Sequence, residues 1–118
     1  MQKEDFLKRT RAFALRVIRL VESLPKNQTA QILGRQLLRA GTSVGANYRA
    51  SVRAKSRADF ISKMGTVEEE CDEAIYWMEM LVDAGSLKAR LVGELVDEGN
   101  EILSIVVASI KTARQRAK

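Results

Sequence analysis

Apolar residues recur at alternating intervals of four and three along four separate segments of this chain. This spacing places their side chains on one side of an α-helix, so each segment is predicted to be an amphipathic helix. Four helices joined by short connections predict an all-α fold, specifically an antiparallel up-down-up-down four-helix bundle. The clearest series lies in the third segment and consists of Phe60, Met64, Val67, Cys71, Ala74, Met78 and Leu81.

Local signals indicate where each predicted helix begins and ends. Pro25 disfavours helical geometry in the residue before it, so the first helix should stop there. Asn27 is a suitable N-cap for the second helix, and Ser56 with Asp59 resembles a capping box that opens the third. Gly85 supplies the left-handed residue that commonly ends a helix. The predicted helices span about residues 4–23, 27–54, 57–84 and 87–115, within a single domain that covers residues 1–118.

The middle of the second helix, residues 40–46, is poor in helix-forming residues. Gly41 and Gly45 each cost about 1 kcal/mol relative to alanine inside a helix. Two explanations fit: a neighbouring helix approaches closely across the small side chains, or the helix kinks. Asn47 follows this stretch near the helix seam. Because an unpaired amide there would be costly, Asn47 is expected to hydrogen-bond a neighbouring helix.

Composition disfavours several classes of protein. The sequence contains no histidine, so it lacks the usual general base and the usual zinc or iron ligand, and neither an enzyme nor a metal site is expected. The single cysteine, Cys71, is predicted to be a small buried hydrophobe. The apolar run at residues 102–110 is too short to cross a bilayer, and the charged N-terminus has no signal region. We therefore expect a cytoplasmic protein with no cofactor, membrane partner or small-molecule substrate.

Charge is distributed unevenly along the chain. Residues 1–57 carry thirteen lysines and arginines against three acidic residues, whereas the remainder carries seven against twelve. A helical projection places the arginines of the second helix on nearly one face. That face is either a phosphate-binding surface or a solvated, salt-bridged one. The candidate nucleic-acid-binding residues are Arg35, Arg39, Arg49, Arg53, Arg16 and Arg19, with Lys8, Arg9 and Arg11 as further cations of the first helix.

Acidic residues concentrate on the third and fourth helices. Carboxylates on two helices are typical of di-iron bundles, but those sites also need histidine. The acidic face is therefore expected to meet the basic face, either within one bundle or across a subunit boundary. Tyr76 and Trp77 flank the apolar stripe of the third helix and Tyr48 lies beside Asn47, positions where aromatic side chains often fill subunit interfaces. A homo-oligomer is thus favoured over a monomer.

A motif in the second helix resembles the four-helix-bundle proteins encoded in intervening sequences of large-subunit ribosomal RNA genes. The motif reads Gln36-x-x-Arg39-Ala40-x-x-Ser43-Val44-x-Ala46-Asn47, and Gly65-Thr66-Val67-Glu68-Glu69 follows it in the third helix. The resemblance covers about residues 6–87, with Ser43, Asn47 and Glu69 as structural motif residues. The chain departs from the family pattern at Gly45, where proline is usual, and at Ala50-Ser51, where Glu-Gly commonly follows.

The resemblance implies a cytosolic bundle that assembles into a homopentameric ring and has no known catalytic residues. Accessory proteins of diversity-generating retroelements are similar at a greater distance, and they are basic pentamers that bind nucleic acid and a reverse transcriptase. We therefore predict a non-enzymatic, homo-oligomeric protein that binds RNA or other nucleic acid through its basic face. The alternative is a protein-interaction scaffold whose basic face pairs with the acidic face of a neighbouring subunit.

Overall fold

The structure is a computed structural model that describes residues 2–116. Within this range it contains four α-helices and no strand. The predicted all-α class and four-helix bundle are confirmed. Each predicted helix boundary lies within two residues of the observed one. The helices are α1 (Lys3–Glu22), α2 (Gln28–Val52), α3 (Arg57–Asp83) and α4 (Ala89–Arg116). None of them contains an apolar stretch long enough to span a membrane.

The helix ends follow the local sequence signals. The Asn27 side chain accepts a hydrogen bond from the Ala30 amide at 2.9 Å, so it caps α2 as predicted. Ser56 caps α3 by accepting from the Asp59 amide, while the Asp59 carboxylate accepts from the Lys55 amide instead of closing a full capping box on Ser56. Gly85 has a φ of 80°, which only glycine adopts without strain, and it turns the chain toward α4.

The core is one continuous apolar cluster with contributions from all four helices. In α3 the predicted stripe is buried from Met64 to Leu81, and only Phe60, at its start, remains half-buried. In α4 the apolar spacing predicts a stripe of Leu91, Leu95, Ile102 and Ile105. This prediction is partly wrong, because Leu91 is 62% exposed and Ile105 is only partly buried. The buried residues of α4 are Val92, Leu95, Gly99, Ile102, Val106 and Ile110.

The seam between α1 and α2 is unusually close. A Cβ added at Gly41 would lie 2.7 Å from a methyl carbon of Val17, and one added at Gly45 would lie 3.2 Å from the Thr10 hydroxyl. Gly41 therefore has no room for any side chain, and the poor helix formers of α2 are explained by close approach. Residues 40–46 form an uninterrupted part of α2. Val17 of α1 lies beside Gly41 of α2, whereas the earlier Thr10 lies beside the later Gly45. The two helices are therefore antiparallel.

The contacts of α4 differ on its two sides. Against α3, the Cys71 thiol donates to the Gly99 carbonyl at 3.3 Å, and a Cβ at Gly99 would lie 3.0 Å from Ile75. Against α1, the packing is the least extensive of the four seams and includes the ion pair between Arg9 and Glu98. The bundle is thus closed by apolar packing on three seams and by a looser, partly charged seam between α1 and α4.

Candidate nucleic-acid interface

The outward side of α2 and its C-cap carry three exposed arginines, Arg35, Arg49 and Arg53. Arg35 and Arg49 are fourteen residues apart, so they project from α2 in nearly the same direction, at about 21 Å spacing along its axis. Arg53 is the C-cap residue and follows Arg49 by four residues. Among residues 2–116, no carboxylate lies within 4 Å of any of the three. Their charges are therefore available to an anionic ligand.

Arg39, the fourth predicted arginine of this face, is neutralised by its own chain. Its guanidinium donates to Glu70 at 3.0 Å and to Glu73 at 2.8 Å, both on α3. Arg39 projects about 40° from Arg35 around α2, toward α3, which brings it within reach of these carboxylates. The contact raises the pKa of Arg39, chiefly through the charge of Glu70. The predicted meeting of basic and acidic faces thus occurs within one bundle at this position.

A groove on the outer side of the α1–α2 seam gathers further cations beside α2. It has a volume of about 530 Å³, and its floor is formed by small and apolar side chains. Lys8 and Arg11 from α1 and Arg49 from α2 line its rim. Neither Lys8 nor Arg11 has a carboxylate within 4 Å in the part of the chain that the structure describes. We call Lys8, Arg11, Arg35, Arg49 and Arg53 the α1–α2 cationic face.

The two predicted arginines of α1 lie elsewhere. Arg16 and Arg19 line a groove of about 380 Å³ between α1 and α4, together with Arg90. The six candidate arginines therefore occupy three places: the outer side of α2, the α2–α3 ion pair and the α1–α4 groove. Sequence reasoning could not separate them, because which cations of α1 lie beside α2 and which lie beside α4 depends on how these three helices pack.

Arg9 is the most strongly held cation of α1. It donates two hydrogen bonds to Glu98, at 2.6 and 2.7 Å, and lies 3.5 Å from Glu101. The side chains of Arg9 and Glu98 are only 24% and 18% exposed, and the arginine hydrogen bond holds the pKa of Glu98 below its usual value. Arg9 therefore stabilises the contact between α1 and α4 and is not available to a ligand.

The polar motif residues of α2 bond to their own helix. Ser43 donates to the Arg39 carbonyl at 2.6 Å, and Thr42 donates to the Leu38 carbonyl at 2.7 Å. The expectation that Asn47 bonds a neighbouring helix is wrong, because its amide nitrogen donates to the Ser43 carbonyl at 2.8 Å, one turn earlier on α2. Glu69, the third motif residue, is exposed on α3.

The aromatic side chains lie away from the cationic face or are packed into the bundle. Tyr48 is half-buried and makes an edge-to-face contact with Phe6, with ring centroids 4.7 Å apart. On α3, Tyr76 is 52% exposed and packs edge-to-face against Trp77. The indole nitrogen of Trp77 is buried and has no hydrogen-bond partner among the described residues. Among the described residues, it is the buried side-chain nitrogen or oxygen that lacks a partner.

The reactive chemistry of the described residues is limited. Cys71 is fully buried, and this burial raises the pKa of its thiol to about 12, with smaller contributions from Asp72 and Glu98. The thiol is therefore protonated at neutral pH and is a poor nucleophile. No group of three or more potential metal ligands is found between residues 2 and 116.

Comparisons with known proteins agree with the resemblance seen in the sequence. The model of the 23S rRNA-intervening sequence protein family matches residues 2–108. Among solved structures, a protein of unknown function from the S23 ribosomal protein family of Bacteroides thetaiotaomicron VPI-5482 is similar, with 32% sequence identity and a TM-score of 0.87. The match covers 94% of this chain and 99% of that one. No curated protein matches the chain.

Proposed function

The chain belongs to the 23S rRNA-intervening sequence protein family, and from its exposed, unpaired cations we propose that it is a non-enzymatic cytoplasmic protein that binds nucleic acid. RNA is the proposed ligand. The α1–α2 cationic face is the proposed binding surface, and it contacts phosphate groups of the ligand.

One observation carries this proposal: the cations of the α1–α2 face are exposed and lack acidic partners, although the chain has fifteen acidic residues. In the described part of the chain, the ion pairs that do form use Arg9, Arg39 and Lys63. Lys8, Arg11 and Arg49 line one groove, so their like charges repel one another, which a purely structural face would avoid. Phosphate groups relieve that repulsion and release their counterions on binding.

Salt dependence of RNA binding tests the proposal. If all five cations contact phosphates, affinity should fall about 10²- to 10³-fold between about 50 and 200 mM salt. Arg49→Glu, combined with Arg53→Glu, should remove most of the binding and flatten the salt dependence. Lys111→Glu is the matched control, since this exposed residue lies on α4 in the α3–α4 groove. Absence of RNA and DNA binding at the lower salt concentration would end the proposal.

A second candidate function is that of a homo-oligomeric scaffold, pentameric as the family resemblance implies. The observation that favours it is on α3, where exposed Tyr76 lies beside Trp77 with its unpartnered buried indole nitrogen. Packing of a second subunit on this surface would bury the exposed ring of Tyr76 while its hydroxyl keeps a polar contact. Sedimentation of the parent should then show an oligomer that Tyr76→Arg dissociates and Leu91→Arg, on exposed α4 surface, does not.

The two candidates make different demands on the same cations. In the scaffold, the basic face would pair with the acidic α3 of a neighbouring subunit. Arg39 is already paired with Glu70 and Glu73 of its own chain, so this role would pass to the unpaired arginines. Arg49→Glu should then dissociate the oligomer. If Arg49→Glu sediments like the parent but no longer retains RNA, the nucleic-acid function stands and charge pairing between subunits does not.

A further inference from the structure

From the way the α1–α2 cationic face is built, we infer that its ligand is double-stranded RNA, recognised by its backbone shape and not by its base sequence. This inference rests on the proposed nucleic-acid function and narrows it to one class of ligand. Three features of the face carry it: the fixed spacing of the cations, the orientation of the polar side chains between them, and the location of the aromatic residues.

The cations project from α1 and α2, and the helices fix the distances between their points of attachment. Arg35 and Arg49 are about 21 Å apart along α2, and Lys8 and Arg11 stand beside Arg49 across one groove. Thr42 and Ala46 lie between the two arginines, and their short side chains line the same groove. A duplex presents phosphates at fixed separations, whereas a single strand must lose conformational freedom to match such an array. Cations anchored at a fixed spacing on a helix therefore favour a duplex over a single strand.

The polar side chains near these cations each use a donor within their own helix. The hydroxyls of Thr42 and Ser43 donate to carbonyls of their own helix, and so does the amide of Asn47. Base sequence is read by side-chain hydrogen bonds to base edges, while phosphate contacts carry no direct sequence information. With these donors engaged, the face would contact its ligand chiefly through the cations, and phosphates are the groups that match their charge. Binding should therefore be nearly independent of sequence.

Single-stranded ligands are usually held by bases stacked on exposed aromatic rings. Phe6 and Phe13 are buried, and Tyr48 packs on the edge of Phe6. Phe60, Tyr76 and Trp77 are on α3, the helix that carries Glu70 and Glu73. No aromatic ring of the described residues thus lies beside the cations as a stacking platform, which disfavours single strands.

The breadth of the face distinguishes RNA from DNA duplexes. The molecule measures 22 by 21 Å across its long axis, and the face is formed by two helices side by side. The B-DNA major groove, about 12 Å wide, admits one helix but not two. The minor groove of A-form RNA is wide and shallow, so a broad surface formed by two helices can reach phosphates and 2′-hydroxyls along it without inserting an element. The geometry therefore favours the A-form duplex.

Fluorescence anisotropy with labelled ligands tests the inference. The ligands are an RNA duplex of about 20 base pairs, longer than the roughly 16 that a double-stranded RNA-binding domain covers, a duplex of scrambled sequence, either single strand, and the matching DNA duplex. The RNA duplex should bind about tenfold or more tightly than either single strand or the DNA duplex, and scrambling should change affinity less than about twofold. Arg49→Glu should weaken duplex binding about tenfold, whereas Arg49→Lys and Lys111→Glu should preserve it.

The outcomes separate the two levels of the proposal. Equal or tighter binding of a single strand or of DNA would overturn the inference while leaving nucleic-acid binding in place. A strong effect of scrambling would also overturn it, because it would require base contacts. If no nucleic acid binds at low salt, the proposed function fails and the inference fails with it. Circular dichroism of each variant shows whether a loss of binding reflects a loss of the helical fold.

Discussion

The two sides of α1 are held to their neighbours by different means. On the side facing α2, Gly41 and Gly45 bring the backbones close together against Val17 and Thr10. On the side facing α4, the packing is sparser, and two hydrogen bonds from Arg9 to Glu98 join α1 to α4. One seam is therefore specified by shape and the other in large part by charge. The first should be sensitive to side-chain volume, and the second to pH.

The largest effect is expected from filling the close seam. Gly41→Leu places a Cβ 2.7 Å from Val17 and adds three further carbons, so α1 and α2 must separate. Overpacking of this kind costs about 3 kcal/mol. The free energy of unfolding, measured by urea denaturation, should fall by that amount.

Shortening the opposing residue provides the control for this variant. Val17→Ala alone leaves a cavity and should also destabilise the protein. In the double variant, however, the leucine gains space, and the combined loss should be smaller than the sum of the two single losses. Additive losses would show that Gly41 is not required by contact with Val17.

The next largest effect concerns the charged seam. Arg9→Met keeps much of the side-chain volume but removes both hydrogen bonds to Glu98, and should lower the free energy of unfolding by about 1 to 2 kcal/mol at pH 7. The hydrogen bond from Arg9 holds the pKa of Glu98 below its usual 4.5 in the folded state. The stabilisation is therefore complete above that value and is lost as pH falls through the folded-state pKa.

Denaturation of the parent and of Arg9→Met over a range of pH checks both the size and the sign of this effect. The difference between the two proteins should shrink below about pH 4.5 and should be constant between pH 6 and 8. A difference that persists unchanged into acid would show that Arg9 stabilises the seam through its apolar stem and not through Glu98.

A glycine outside any seam should behave in the opposite way from Gly41. An added Cβ at Gly65, inside α3, meets no atom within 4 Å. Gly65→Ala should therefore raise the free energy of unfolding by about 1 kcal/mol, because alanine loses less conformational entropy in a helix. A loss of stability at this position would indicate that the site is covered by another subunit.

The smallest effect is expected at the ion pairs of Arg39. Arg39 is half-exposed, although its partner Glu70 is only 14% exposed, so water and salt reach the guanidinium. Arg39→Met should therefore cost less than Arg9→Met, and the cost should fall at high ionic strength. Parallel urea titrations with and without added salt measure this difference. Equal costs for the two variants would contradict the view that partial burial is what makes the α1–α4 pair important.

Much of the fold is encoded in residue spacing and could be predicted for that reason. The stripe of α3 and the cap at Asn27 depend on periodicity and local hydrogen bonding, which need no knowledge of neighbouring helices. The stripe of α4 was harder to predict. Leu91 and Leu95 are four residues apart and both apolar, yet only Leu95 is buried. Gly99 occupies a buried position of α4, and a glycine gives no apolar signal in the sequence.

The candidate interface could be predicted only as far as a single helix. The arginines of α2 share a face by spacing alone, and Arg35, Arg49 and Arg53 are indeed exposed together. The pairing of Arg39 depends on which side of α2 faces α3, and the grouping of Lys8 and Arg11 with Arg49 depends on how α1 is rotated about its axis. These are tertiary facts that a one-dimensional pattern does not contain.

Cys71 is a built-in probe of local opening between α3 and α4. Its thiol is sealed between α3 and α4, and its pKa of about 12 leaves almost no thiolate at neutral pH. A thiol reagent can therefore modify it only after these two helices separate. As the sole cysteine in the sequence, it reports that separation without any engineered label. The rate of thiol modification then measures how often α3 and α4 separate locally, with and without a bound ligand.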